Sequence, residues 1–383
     1  MTDAVKPGSE AELAELVAAA DGPFEIVGTG TKRTLGRPVQ AARGLDLSGL
    51  DALAVYEPEE LILEAGAGTR LAEVEALIAK RGQQLAFEPP DLSRLLGSAH
   101  SGTLGGLVAC NLSGPRRIKA GAVRDHILGI RGVSGRGEIF KAGARVVKNV
   151  TGYDLPKLMT GSHGTLAALT SITLKVLPRP ETEETMVIEG LDDRAAVATM
   201  SVAMQSACEV SGAAHVPGEG TYLRLEGIAA SVAARRDALA RLLARPVQVL
   251  ATRASGEVWQ RIRDVTPLAD GHDRHVWRLS VTPSQVPEIV ATLRAALDVR
   301  YLFDWAGGLV WLDVPPTDDA SAAAIRAALP SGHATLIRAP AAVRAAVDVF
   351  QPQPQALAQL TARVKSSFDP RHLYNPGRMY RGV

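Results

Sequence analysis

Apolar positions in the first half of the chain come in short bursts separated by glycine. AELAELVAAA (11–20) has helical spacing, and FEIVG is a short run of strand type. LAVYEPEELILEAGAGT (53–69) predicts two strands with a turn near Glu57 and Pro58. In LAEVEALIAKRG (71–82), Leu71, Val74, Leu77 and Ile78 fall on one helical face, and Gly82 is suited to close it. The most glycine-dense stretch, GSAHSGTLGGLVACNLSGPRRIKAGAVRDHILG (97–129), shows no such period and predicts a tight loop. Two strands around SGRGE follow. KNVTGYDLPKLMTGSHGTLAALTSITLKVLPRP (148–180) then ends on a β-rich run and a proline pair, which predicts a domain boundary.

From about residue 181 to 350 the texture changes. Short strands, TYLRLEG (221–227), VQVLATR (247–253), HVWRLSVTP (275–283) and LVWLDVP (309–315), alternate with alanine-rich helices such as AASVAARRDALARLLA (229–244). That pattern predicts a small antiparallel sheet with helices on one side. QALAQLTARVKSSFDP (355–370) predicts a last helix, followed by the turn-rich RHLYNPGRMY. The expected organisation is therefore three segments, 1–180, 181–350 and 351–383.

Charge narrows the classes of function. Lys and Arg total 42 against 41 Asp and Glu, a balance that argues against an obligate nucleic-acid binder. Two distant cysteines, Cys110 and Cys208, support neither a disulfide framework nor an iron–sulfur or zinc site. The charged N-terminus lacks the apolar core of a signal peptide, and no apolar run approaches the ~18–20 residues that span a bilayer. The expected compartment is the cytoplasm, with any contact at the inner membrane made through partner subunits.

Four stretches carry candidate chemistry. After the first apolar strand, Gly28, Thr29, Gly30, Thr31 and Lys32 suit an anion: glycines free successive N–H groups, and Lys32 and Arg33 add positive charge. Arg33 stands where the dinucleotide fingerprint needs its third glycine, and no Gly-Lys-Ser/Thr triplet makes a P-loop, so an ordinary connection would look the same. Gly102, Thr103, Gly105, Gly106, Asn111, Ser113 and Gly114 would let backbone approach a flat ligand, or would simply pack a loop on its own sheet. Arg116, Arg117, Lys119, Arg124 and Asp125 form either a solvated face or a contact to a diphosphate, a carboxylate or a reduced anionic ring. Asn149, Gly152, Tyr153 and Asp154 form a polar, turn-making string ahead of Gly164, with Tyr153 half-buried if it serves only the fold. His100, His126 and His163 lack metal-ligand spacing, and Trp277, Trp305 and Trp311 sit in strand-like runs that favour a core role.

Taken in order, VGTGTK (27–32), GTLGGLVACNLSGPRRIKAGAVRDHILG (102–129), RVVKNVTGYDLPKLMTGSHGTLAALTSITLKVLP (145–178) and FDPRHLYNPGRMY (368–380) resemble the vanillyl-alcohol oxidase type of flavoprotein, the PCMH-type FAD-binding family. The match covers most of 1–180 and the tail, and the middle only loosely. It implies an α+β fold: an FAD-binding domain of two α+β subdomains and a smaller antiparallel-sheet α+β cap. It also implies that residues 28–32 wrap the FAD diphosphate, that the 102–125 and 149–154 stretches line the ring and ribityl chain, and that Asn375 and Arg378 close over the flavin from the far end of the chain.

Two departures shape the expected chemistry. Residues 27–37 hold no His or Cys of the kind some relatives use for covalent attachment, so FAD is expected to be non-covalent, with Cys110 and His100 the alternative points of covalent attachment. The hydroxyacid-oxidising members carry a Gly-Asp-Gly-Asn-x-His segment, and the nearest string here, DGHDRH (270–275), does not match. The resemblance implies a subunit of a 2-hydroxyacid (glycolate or D-lactate) dehydrogenase that works with a second FAD-binding subunit and an iron–sulfur subunit. The alternative is an FAD-containing structural or electron-relay subunit without a substrate site of its own. Arg117 or Arg378 is the expected carboxylate clamp, and His163 or Tyr153 the expected base.

Overall fold

The computed structural model describes residues 4–144, 152–271 and 273–383. Its first region stacks two small sheets. Strands Ala4–Val5, Arg43–Asp46 and Phe24–Val27 pair in parallel, with Arg43–Asp46 in the middle. Helix Glu10–Ala18 covers them, capped by the Ser9 hydroxyl and burying Leu13 and Val17. The second sheet is antiparallel, in the order Leu53–Glu57, Ile62–Gly66, Ala167–Lys175, Ile127–Ser134, Ile139–Gly143. Both hairpins expected from the apolar pattern, 53–66 and 127–143, are present.

The region after residue 181 is larger than expected. Its antiparallel sheet has eight strands, in the order Gln248–Leu250, Thr182–Ile188, Gly220–Gly227, Gly212–Val216, Arg300–Asp304, Leu309–Val314, His275–Ser280, His333–Arg338. Alternation along the strands sorts the side chains into two faces. Trp277, Leu279, Phe303, Val310 and Leu312 pack under the region's own helices. Val276, Leu302, Trp311, Ala214 and Val216 turn the other way and join the core of the first region. The sheet thus roofs the first region with one face.

Two local expectations change. The strand expected at 247–253 ends at Leu250, because Thr252–Arg263 is an amphipathic helix burying Trp259 and Ile262. The glycine-dense stretch contains a helix, Leu104–Cys110, whose Thr103 hydroxyl accepts from the Gly106 N–H at 3.2 Å and which ends at Asn111 in the left-handed region (φ 50°). Two glycines disfavour a helix on propensity alone. Packing overrides it: a Cβ on Gly105 would sit 2.9 Å from Ala67, so glycine lets this helix lie against the hairpin.

The tail is tied in by buried charge. In helix Gln355–Phe368, Lys365 is fully buried and donates to Asp369 at 2.7 Å, the Thr165 carbonyl at 2.6 Å and the Tyr374 carbonyl at 2.9 Å. Asp369 in turn accepts from the Leu373 and Tyr374 N–H groups. The chain beyond this knot runs beside Phe24–Val27: Phe24 N donates to Leu373 O, and Asn375 N to Phe24 O.

Candidate active site

A partly open cleft lies where strand Phe24–Val27, helix Leu104–Cys110, strand Ala167–Lys175 and the tail converge. The glycine loop 28–32 forms one wall. Gly30 needs its glycine, since its φ of +75° is one that a side chain strains. Gly28 is constrained differently: a Cβ there would stand 2.6 Å from the Thr103 hydroxyl, so this glycine lets the loop press on the helix start. Thr29 anchors the loop through its hydroxyl to Ser101 O at 2.8 Å.

The cleft's charge is positive and poorly neutralised. Lys32 reaches only the Thr31 hydroxyl, at 3.5 Å, and burial lowers its pKa. Arg378, 5% exposed, donates through Nη2 to the Lys32 carbonyl at 2.7 Å. Its Nη1 has no hydrogen bond and lies 4.0 Å from Glu25, which already pairs with Arg33. A buried lysine and an orphaned guanidinium N–H, both on an anion-shaped loop, fit a phosphate or diphosphate. Ile26, Leu47, Ala67, Ala109, Ala167 and Leu169 supply an apolar wall for a flat ring.

The tail positions the far side. Asn375 accepts from Ile26 N–H at 2.8 Å and donates to the His163 carbonyl at 2.8 Å, bridging the first strand to the 162–164 turn. His163 packs edge-on against Phe350 and lies 3.8 Å from the Cys110 sulfur. Burial, reinforced by Arg378, pulls its pKa down to about 3, which leaves a neutral imidazole. Burial likewise pushes the Cys110 thiol up, away from thiolate. The loop has neither residue type, yet the cleft holds both from elsewhere, at no spacing that could have been recognised in the sequence.

The expected site residues therefore divide. Gly28, Thr29, Gly30, Thr31, Lys32, Thr103, Gly105, Gly106, His163, Gly164, Asn375 and Arg378 come together around the cleft. Gly102 lies just outside it, lining a second hollow with Thr31, Lys32, Pro90, Asp91 and Arg263. The other expected residues make contacts within the fold. Ser113 accepts from the Val123 N–H, Asn111 from Arg124 at 3.4 Å, and Asp125 caps its own short helix at Ala122. Gly114 packs against the Glu88 carbonyl and accepts from Trp305. Asp154 starts helix Leu155–Met159 and pairs with Lys157 beside Gly152, while Tyr153, expected half-buried, is 91% exposed. Arg117 leaves the loop altogether and lies on Trp305 of the eight-stranded region. Asn149 lies outside the described residues.

Residues 3–143 match a family model described as an FAD binding domain. Among solved structures the whole fold resembles p-cresol methylhydroxylase (TM-score 0.74, 15% identity, 98% of this chain and 88% of that one) and alkyldihydroxyacetonephosphate synthase (TM-score 0.68, 15% identity, 97% and 76%). The fold is shared with these proteins, and the family model makes residues 3–143 an FAD binding domain. In sequence the chain is 34% identical to the glycolate oxidase subunit GlcE of Escherichia coli, over 94% of this chain and 93% of that one. It is 30% identical to a D-lactate dehydrogenase of Archaeoglobus fulgidus over 46% of this chain and 38% of that one. The chain belongs to the GlcE family of FAD-linked oxidoreductase subunits, and its cofactor is FAD.

Proposed function

We propose that this chain holds FAD non-covalently in the cleft and is the FAD-binding subunit of a complex that oxidises a short 2-hydroxyacid, glycolate or D-lactate, to the 2-oxoacid. The observation that carries the reading is the convergence of Lys32, with no acid in an ion pair to it among the described residues, and the orphaned Arg378 Nη1 on the glycine loop, in a chain whose GlcE relative is a glycolate oxidase subunit. The bound flavin supplies the hydride acceptor. The protein's part is to bind and orient: Lys32, Arg378 and the loop N–H groups balance the diphosphate charge, Asn375 holds strand and turn at fixed spacing, and the alanine wall keeps water from the ring. Electrons would leave through an iron–sulfur subunit, in a complex with a second FAD-binding subunit such as the GlcD relatives, of which the Bacillus subtilis one is 31% identical over 43% of this chain. Among the described residues no helix is long and apolar enough to cross a membrane, so attachment there would run through partners.

The relay reading retains one specific support. Neither expected base is well placed: Tyr153 stands in solvent, and His163 is far too weakly basic in its buried setting to hold a proton near neutral pH. Anaerobic addition of glycolate or D-lactate to the FAD-loaded chain alone separates the two. Bleaching of the visible flavin band means a complete site in this subunit, whereas bleaching only in the presence of the partner subunits assigns this chain to electron relay.

A further inference from the structure

Away from the cleft, on the sheet face that roofs the first region, two guanidinium groups meet one indole. The Arg117 guanidinium carbon lies 4.4 Å from the Trp305 ring centroid and that of Arg278 5.1 Å, with Trp311 5.9 Å from Arg278. Neither arginine side chain makes a hydrogen bond or ion pair among the described residues. Both residues keep part of their surface exposed.

The neighbouring acids neutralise this pair only in part: Asp304 attracts Arg278 and Asp125 attracts Arg117, and among the described residues neither is hydrogen-bonded to them. Glu88 and Glu226 are committed to Arg224 and Arg116. Asp304, 2% exposed, accepts from the Trp305 N–H at 2.7 Å, and burial, with the Glu88 charge adding to it, pushes its pKa up to about 7. On the other side Arg124 adds positive charge, and Asp125 is held by its own helix. Burial, with the Arg117 charge adding to it, pulls Arg278 down to about 10 against the attraction of Asp304.

The indole is fixed in place at a visible conformational cost. Trp305 and Ala306 both have left-handed backbone (φ 52° and 54°), a conformation disfavoured for side-chain-bearing residues. The Trp305 N–H to Gly114 O bond, 3.0 Å, then locks the ring between sheet and loop. The arrangement is two planar forks held on a rigid flat surface, with no acid hydrogen-bonded to either fork among the described residues. Such forks match the two oxygens of a carboxylate.

We infer that Arg117, Arg278 and Trp305 form a binding site for a small carboxylate. That this carboxylate belongs to the 2-hydroxyacid rests on the proposed function; that the site binds a carboxylate at all does not. Sequence reasoning reached Arg117 but not Arg278, which is hidden in an ordinary strand pattern.

The test uses the FAD-loaded chain and oxalate, a carboxylate that cannot be oxidised by hydride loss, titrated by calorimetry. The site predicts saturable oxalate binding that Arg278→Met and Arg117→Met each weaken by ~10-fold or more. Arg278→Lys, a point charge without the fork, should also bind less tightly than the parent, but better than Met. FAD content reports folding; if the Met variants fail to load FAD, the comparison rests on Arg278→Lys, and unchanged affinity there overturns the site. No oxalate binding, Met variants that bind like the parent, or equal competition by sulfate and chloride would also overturn it. Arginine-dependent binding without flavin reduction by hydroxyacid would keep the site and sink the dehydrogenase reading. Reduction by hydroxyacid that is indifferent to Arg278→Met would keep the dehydrogenase reading and overturn the assignment of this site to its substrate.

Discussion

The join between the two regions depends on one carboxylate, and its removal should cost a calculable amount. Glu88 accepts from both Nη atoms of Arg224, at 2.8 and 2.9 Å, and from the Arg116 N–H at 2.6 Å. Arg116 meanwhile pairs with Glu226 and donates to Gln84 at 2.9 Å. Arg224 is 1% exposed and Arg116 8%, so neither can turn to water. Burial pushes the Glu88 carboxyl up, but Arg224 and Arg116 outweigh it and hold it at about 2 instead of 4.5. At ~1.4 kcal/mol per pH unit, that difference is roughly 3 kcal/mol of folded-state stability. Breaking a buried ion pair by removing one partner costs about 3–5 kcal/mol, which agrees. Because the folded pKa is depressed, this contribution is present above about 4.5 and is lost as pH falls through about 2. Urea unfolding of Glu88→Gln, followed by tryptophan fluorescence at saturating FAD, should show a deficit of about 3 kcal/mol at pH 7 that shrinks between pH 4.5 and 3. A deficit under about 1 kcal/mol at pH 7, or one unchanged down to pH 3, would refute the argument.

Asp304 should behave in the opposite sense: its folded pKa is raised to about 7, so its contribution is full below the usual carboxylate range and lost as pH rises through 7. Asp304→Asn should therefore flatten the fall in stability between pH 4 and 7, measured by the same unfolding. Lys32→Met should loosen FAD by ~10–100-fold in a flavin-fluorescence titration while raising the melting temperature of the FAD-free chain, since an uncompensated buried cation is removed. Gly28→Ala forces Thr103 to move and should cost most of the FAD retention seen after gel filtration. Asn375→Ala removes two 2.8 Å hydrogen bonds across the cleft and should destabilise the chain by about 2 kcal/mol, with FAD lost first on warming.

How far the sequence could be read depended on whether local pattern or long-range packing set each structure. The hairpin at 53–66, helix Leu71–Ala79 and strands of the roofing sheet follow from period and turn residues, and they stand where the apolar pattern puts them. Helix Leu104–Cys110 was illegible because its glycines oppose a helix locally and only contact with Ala67 explains them. The glycine loop and the tail were legible as motifs. Cys110, Ala67 and Ala167 join the cleft through folding alone, at separations no spacing rule connects. At Gly28, Gly105 and Gly114 the missing Cβ admits protein atoms, a packing role that glycine density in the sequence does not distinguish from contact with a ligand.

The most direct test of the cofactor site is competitive binding of FAD and riboflavin to the purified chain by equilibrium dialysis. A cleft organised around Lys32, Arg378 and the glycine loop predicts one FAD per chain. Riboflavin, which has no phosphate, should fail to displace FAD, and Lys32→Met should narrow the gap between the two ligands. Riboflavin binding as tightly as FAD, or a chain that takes up neither, would contradict the account.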